Sequence, residues 1–169
     1  MDESSITRTL VRMTHEILEK NKGVENLVLV GIKTRGEPIA RRIAQNIKRF
    51  EGVDVLTVGF DIRYWRDDID KTGIIKPNYD LDLNHKVVVL IDDVLYKGRT
   101  VRAAMDGVMS FGRPQSIQLA VLVDRGHREL PIRADVVGKN VPTSTEESVK
   151  VSLSEVDGSD AVIILERDD

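Results

Sequence analysis

The run Val87–Ile91 (VVVLI) is apolar at every position and ends in two adjacent carboxylates, Asp92 and Asp93. A strand with one wet face alternates apolar and polar residues. A strand that is apolar on both faces must be covered on both, as in a parallel sheet between layers of helix. Leu27–Ile32 (LVLVGI) and Ser116–Val123 have the same character, and Val53–Phe60 alternates as a strand does. Helical periodicity separates these runs. Ile6, Leu10, Met13 and Ile17 share one face of a helix predicted over Ser5–Lys22, with Arg8, Arg12 and His15 on the opposite face and Gly23 as its stop. Further helices are predicted over Glu37–Phe50, where Pro38 falls in the first turn, and over Thr100–Phe111. Strands alternating with helices predict an α/β fold with a mostly parallel sheet flanked by helices.

Two stretches depart from that alternation. Asp61–Asn84 lacks periodicity, and so long a gap inside a domain predicts a flexible loop acting as a lid or an insertion. From about residue 124 onward the chain reads as strands without intervening helices. ADVVGKNVP is one, and VKVSLSEVDGSDAVIILE holds two, joined by a turn at Asp157-Gly158. This predicts a small C-terminal β-rich hood, about 124–169, over the sheet edge. No linker divides the chain, so residues 1–169 form one predicted domain.

The net charge of −3 gives no global pull toward nucleic acid or anionic membrane, although local patches act within about 8 Å at physiological salt. The absence of cysteine removes thiol chemistry and suits a reducing cytoplasm. No apolar run reaches the roughly 20 residues of a membrane span. These features predict a soluble cytoplasmic chain with no membrane partner.

Ligands of parallel sheets bind beyond the carboxyl ends of the strands, where Asp92 and Asp93 stand. Paired acids also serve as caps or ion partners, but here Val94–Thr100 leads directly into a helix. Its backbone N–H groups can converge on an anion, Gly98 allows close approach, and Thr100 adds a hydroxyl. The dinucleotide pattern GxGxxG follows none of the strands. GIKTRG (Gly31–Gly36) has the glycine spacing of an ATP-binding loop but carries Glu37-Pro38 in place of Lys-Ser/Thr. The reading is a cradle for a phosphorylated sugar.

The strand, two acids and a loop ending in Gly-x-Thr resemble the phosphoribosyl-diphosphate signature of the type I phosphoribosyltransferases. GIKTRG, WRDD (Trp65–Asp68), IDDVLYKGRT (Ile91–Thr100) and the segment Leu119–Thr143, with its DRGHRELPIRAD, extend the resemblance. They are similar to the bacterial pyrimidine operon attenuators that double as uracil phosphoribosyltransferases, over about Ser5–Glu166. The resemblance implies that Lys33, Thr34, Arg35 and Gly36 hold diphosphate, and that Asp92 and Asp93 hold the ribose hydroxyls with Mg2+ nearby, bound mainly by substrate. It implies that Val94, Leu95, Tyr96, Lys97, Gly98, Arg99 and Thr100 enclose the 5′-phosphate. Arg66 and Asp67, with Asp68, are expected to reach inward from the closed loop, and Asp92, Asp93, Arg35, Arg66 and Asp67 form the expected catalytic set. The base is expected near Val136, Val137 and Lys139.

The implied reaction joins uracil and phosphoribosyl diphosphate to give UMP and diphosphate. The second implied activity is binding of a leader stem-loop RNA through Arg8, Arg12, His15, Arg128 and Arg133, promoted by UMP or UTP. Self-association as a homodimer or higher homo-oligomer is also implied. Three positions depart from the family pattern: Lys97 and Val11 replace threonines, and Val136 replaces a frequent aromatic. A lysine neutralises phosphate as a flexible point charge rather than as a short hydroxyl donor. The competing reading is a purine phosphoribosyltransferase without an RNA partner, which the DRGHRELPIRAD segment disfavours.

Overall fold

The computed structural model describes residues 1–166. Strands β1 (Leu27–Ile32), β2 (Leu56–Phe60), β3 (Val87–Leu95), β4 (Ser116–Asp124) and β5 (Val136–Asn140) form one parallel sheet in the order β2-β1-β3-β4-β5. Helices α1 (Glu3–Asn21) and α2 (Gly36–Glu51) cover one face and α3 (Arg99–Met109) the other. Alternate residues of β3 feed the two layers. Val89 and Ile91 pack with Ile6, Met13 and Ile43, whereas Val88 and Leu90 pack with Phe60, Val101 and Val108. That double coverage is the physical reason the strand sequences show no polar interruption.

Helix α1 begins earlier than Ser5, because the Asp2 carboxylate accepts the Ser5 N–H at 2.8 Å and caps it. At its other end Lys22 takes the left-handed conformation, and the Gly23 N–H closes onto the Leu18 carbonyl at 3.0 Å. Gly36 opens α2 against β3: a Cβ there would lie 2.3 Å from the Ile91 carbonyl oxygen. Glycine therefore lets the first loop press directly behind the two acids.

The expected hood boundary requires correction. Strand β5 is not part of a separate tail but the edge of the main sheet, pairing Val136 with Ala120 and Val137 with Val121. Gly138 makes this possible, since a Cβ would meet the Leu122 carbonyl at 2.4 Å and the Thr9 and Met13 side chains of α1. Among the described residues only β6 (Glu147–Ser152) and β7 (Ala161–Glu166) form the antiparallel hood. Their link is a one-turn helix, α4 (Ser154–Asp157), ending at a left-handed Gly158, rather than a tight two-residue turn. The expectation for residues 167–169 lies outside the described residues. No helix among the described residues is long and apolar enough to cross a membrane.

Candidate active site

Strands β1 and β2 run to one side of the sheet and β3 and β4 to the other, so the loops after β1 and β3 part at a topological switch point. Crevices for ligands open at such points. Ile32–Arg35, Asp61–Arg63, Arg66, Asp92–Val94 and Thr100 line a cavity of about 550 Å³ there. A second cavity, about 230 Å³, is formed by Val94–Val101 with Arg66, Asp68 and Glu129. Arg66, Val94 and Thr100 border both, so the two adjoin.

Asp92 is 8% exposed, and its Oδ1 accepts the Asp93 N–H at 2.8 Å. Burial and the adjoining Asp93 charge push its carboxyl well above the usual carboxylate range. Asp93 Oδ1 in turn accepts the Val94 N–H at 2.7 Å. Gly98, with φ of 96°, turns the chain into the N-terminus of α3, and Arg99 and Thr100 occupy its first turn. Val94–Val101 thus wrap around the smaller cavity, with Lys97 exposed and 3.9 Å from Glu129.

The segment 61–84 holds one 3-10 turn, Arg63–Trp65, and otherwise no helix or strand. Its root is fixed by an aromatic group in which Phe60 meets Trp65, Tyr79 and Phe111 with ring centroids 5.0–5.7 Å apart. Arg66 reaches the site, donating to Thr100 Oγ1 at 2.7 Å and pairing with Asp68. Asp67 departs from its expected inward direction and instead joins Arg99 and Arg102 of α3 at 3.2 and 2.8 Å.

Other expected residues are placed differently. Arg35 borders the larger cavity, yet its guanidinium pairs with Asp157 of α4. Val136 is 5% exposed and packs beneath α1, while Val137 turns to the other face and Lys139 is exposed. Strand alternation points the Val136 side chain into the core, while the residue, with Val137, also borders a surface cavity beside Asp124 and Arg133.

On the α1 face, Arg12 donates to the Val137 and Gly138 carbonyls, covering the free edge of β5, and pairs with Glu16. Arg8 bonds Ser4. His15 stacks on Phe50 with centroids 4.5 Å apart, and Arg49 lies over the same ring. Arg133 is exposed. Arg128 is not an outward contact: it donates to the Ile132 and Tyr96 carbonyls at 2.9 and 3.0 Å and pairs with Asp124 at 2.5 Å.

Sequence reasoning missed Arg125, 4% exposed, whose guanidinium sits 3.9 Å over the Tyr96 ring and donates to Thr143 and the Glu147 carbonyl. Buried cations need such satisfied donors, so Arg125 fixes the hood strand against the phosphate loop. It missed Asp157 as well, whose only sequence signal was a turn.

A model of the phosphoribosyl transferase domain family matches residues 3–164. The chain belongs to that phosphoribosyltransferase family. Its curated relatives include the bifunctional protein PyrR of Clostridioides difficile, 61% identical over 98% of this chain and 96% of that one. The PyrR of Oceanobacillus iheyensis is 58% identical over 99% and 96%. Among solved structures, the hypoxanthine phosphoribosyltransferase of Trypanosoma cruzi aligns with a TM-score of 0.75 at 17% identity, over 99% of this chain and 95% of that one. The Staphylococcus aureus hypoxanthine phosphoribosyltransferase aligns with 0.66 at 23%, over 83% and 75%. At that identity the two structures share the phosphoribosyltransferase fold.

Proposed function

We propose that this phosphoribosyltransferase makes UMP and diphosphate from uracil and phosphoribosyl diphosphate, and that it regulates pyrimidine-gene transcription by binding a leader RNA when uridine nucleotide fills the same site. The observation that carries the reading is the pair of adjoining cavities. The small one, wrapped by Val94–Val101 at the start of α3, suits a phosphate monoester, and the larger one, flanked by Lys33, Thr34 and the acid pair, suits ribose and diphosphate. Full-length identity to proteins named bifunctional protein PyrR favours this over purine transfer.

In this reading the 5′-phosphate takes the N–H groups before α3 and the Thr100 hydroxyl, displacing Arg66 into a direct charge contact. Asp92 and Asp93 accept the ribose hydroxyls. As the bond from C1 to diphosphate breaks, the sugar gains positive charge and the leaving group negative charge. Lys33 and Arg35 oppose the latter, and a uracil nitrogen replaces diphosphate at C1. The segment beyond Trp65 excludes water from the cationic sugar.

Among the described residues no group of three or more metal-ligating side chains is clustered. Two adjacent carboxylates nevertheless fit Mg2+, a hard cation commonly held by one or two carboxylates plus substrate phosphates. Held mainly by substrate, it would sit near Asp92 and Asp93, and when bound it supplies positive charge to the departing diphosphate. The RNA face of the proposal is the outer side of α1 with Arg133, where His15 offers a ring backed by Phe50. Assembly into a homodimer or larger oligomer belongs to the same proposal.

The test has two arms. Radiolabelled uracil with phosphoribosyl diphosphate and Mg2+ is expected to give UMP, whereas turnover of hypoxanthine or guanine but not uracil would reverse the assignment. A gel shift with a pyrimidine-leader stem-loop is expected to tighten when UMP is added. Binding indifferent to nucleotide would remove the sensor role.

A further inference from the structure

Arg35 stands in the loop after β1, on the rim of the larger cavity, but its charge is already engaged by the hood. Its Nε and Nη2 donate to the two oxygens of Asp157 at 3.2 and 2.9 Å. The Asp157 carboxylate is fixed for this role, because its Oδ2 also accepts the Leu153 N–H at 2.9 Å at the start of α4. The pair is half-shielded, with side-chain exposures of 33% and 21%. Helix α4 has a separate anchorage: Arg42 of α2 pairs with Glu155 and with Asp160, whose side chain is 6% exposed. The hood is therefore held in place without Arg35, and the contact between Arg35 and Asp157 can open while α4 stays seated.

We propose that Asp157 is a positioning residue that withholds Arg35 from the diphosphate subsite, so that phosphoribosyl diphosphate binds by exchanging one anion for another at this guanidinium. The inference rests on the diphosphate role proposed above for the loop. It separates two ligands of one site. Phosphoribosyl diphosphate carries the group that competes with Asp157. UMP carries only the 5′-phosphate at the α3 end and leaves the pair closed.

The experiment is Asp157→Asn, which removes the charge and keeps an oxygen for the Leu153 N–H. The dissociation constant and KM for phosphoribosyl diphosphate are expected to fall about three- to five-fold, the upper range of a partly exposed ion pair, with kcat and UMP affinity unchanged. In an Arg35→Ala background the same substitution is expected to change phosphoribosyl-diphosphate affinity by less than about two-fold, because the coupling partner is gone. Unchanged or weakened binding in the single variant overturns the proposal, as does an equal gain in the Arg35→Ala background. Altered UMP affinity would show a general disturbance of the hood and equally overturn it. A wild-type chain that does not bind phosphoribosyl diphosphate would instead refute the parent reading.

Discussion

Asp92 is buried, and among the described residues it enters no ion pair; its carboxyl is held toward the protonated form by that burial and by Asp93. A raised native pKa means that the folded chain retains a proton the unfolded chain releases near pH 4. The associated stability is complete below the unfolded pKa and is lost as pH rises through the native one. Asp92→Asn, neutral at every pH, is therefore expected to melt higher than wild type near neutral pH, with the difference shrinking toward pH 4 in thermal melts. Its UMP formation should fall sharply, since an amide accepts fewer bonds from ribose hydroxyls and no cation. Arg128 makes a second prediction at this scale. Because it ties the Tyr96 carbonyl to Asp124 and Ile132, Arg128→Ala is expected to weaken UMP binding about five- to ten-fold. Calorimetry checks this, and loss of RNA binding alone would return Arg128 to the outer face.

Two element ends have no room for change. The first turn of α2 touches β3 at Ile91 and Asp92 through Gly36. Gly36→Ala must shift the helix or the strand, and displacing reacting groups by an ångström costs about 10²-fold in rate. A loss of that order in kcat/KM, with the melting transition retained, is the expected result. At the hood, Asp160 is covered and depends on Arg42, and the Arg42 guanidinium holds both Asp160 and Glu155 below the usual carboxylate range. Their stabilisation is present above the unfolded carboxylate pKa and fades as pH falls through the lowered values. Arg42→Ala is expected to cost about 2 kcal/mol, reduced from the figure for a fully buried pair because Glu155 is partly in water. Urea denaturation with hydrogen exchange at β6 and β7 checks the size and the place of the loss.

Across the whole molecule, the transferase cavities lie at the carboxyl ends of the strands while Arg8, His15 and Arg133 lie on the outer side of α1 and its neighbourhood. A covalent route joins them. The chain from the end of β4 to β5 packs on the phosphate loop through Arg128 and through the Glu129 N–H to the Lys97 carbonyl at 2.9 Å, then carries Arg133 outward. Trp65, the sole tryptophan, is seated against Phe60 at the root of the loop. Its fluorescence is expected to stay unchanged on adding phosphoribosyl diphosphate while protease cleavage within 69–76, which includes the 85%-exposed Ile75, is suppressed. A large Trp65 shift would move the hinge inward of that residue.

The parallel sheet, its order of elements and the loop that wraps the smaller cavity were legible in one dimension, because they rest on neighbours in sequence. Unbroken apolar runs state that both faces are covered, and Asp92–Thr100 carries acids, turn and helix start in one contiguous segment. What depended on distant residues was not legible. Whether Val136 meets a base or the core depends on β5 joining β4, and that pairing is set by the fit of Gly138 under α1. The inward engagement of Arg128 was not legible because its partners include backbone carbonyls, which every sequence supplies and none advertises; Arg12 stays exposed while it also reaches the carbonyls of β5. The engagement of Arg35 by Asp157 belongs to the same class: 122 residues separate them along the chain, and only the packing of the hood brings the two charges together.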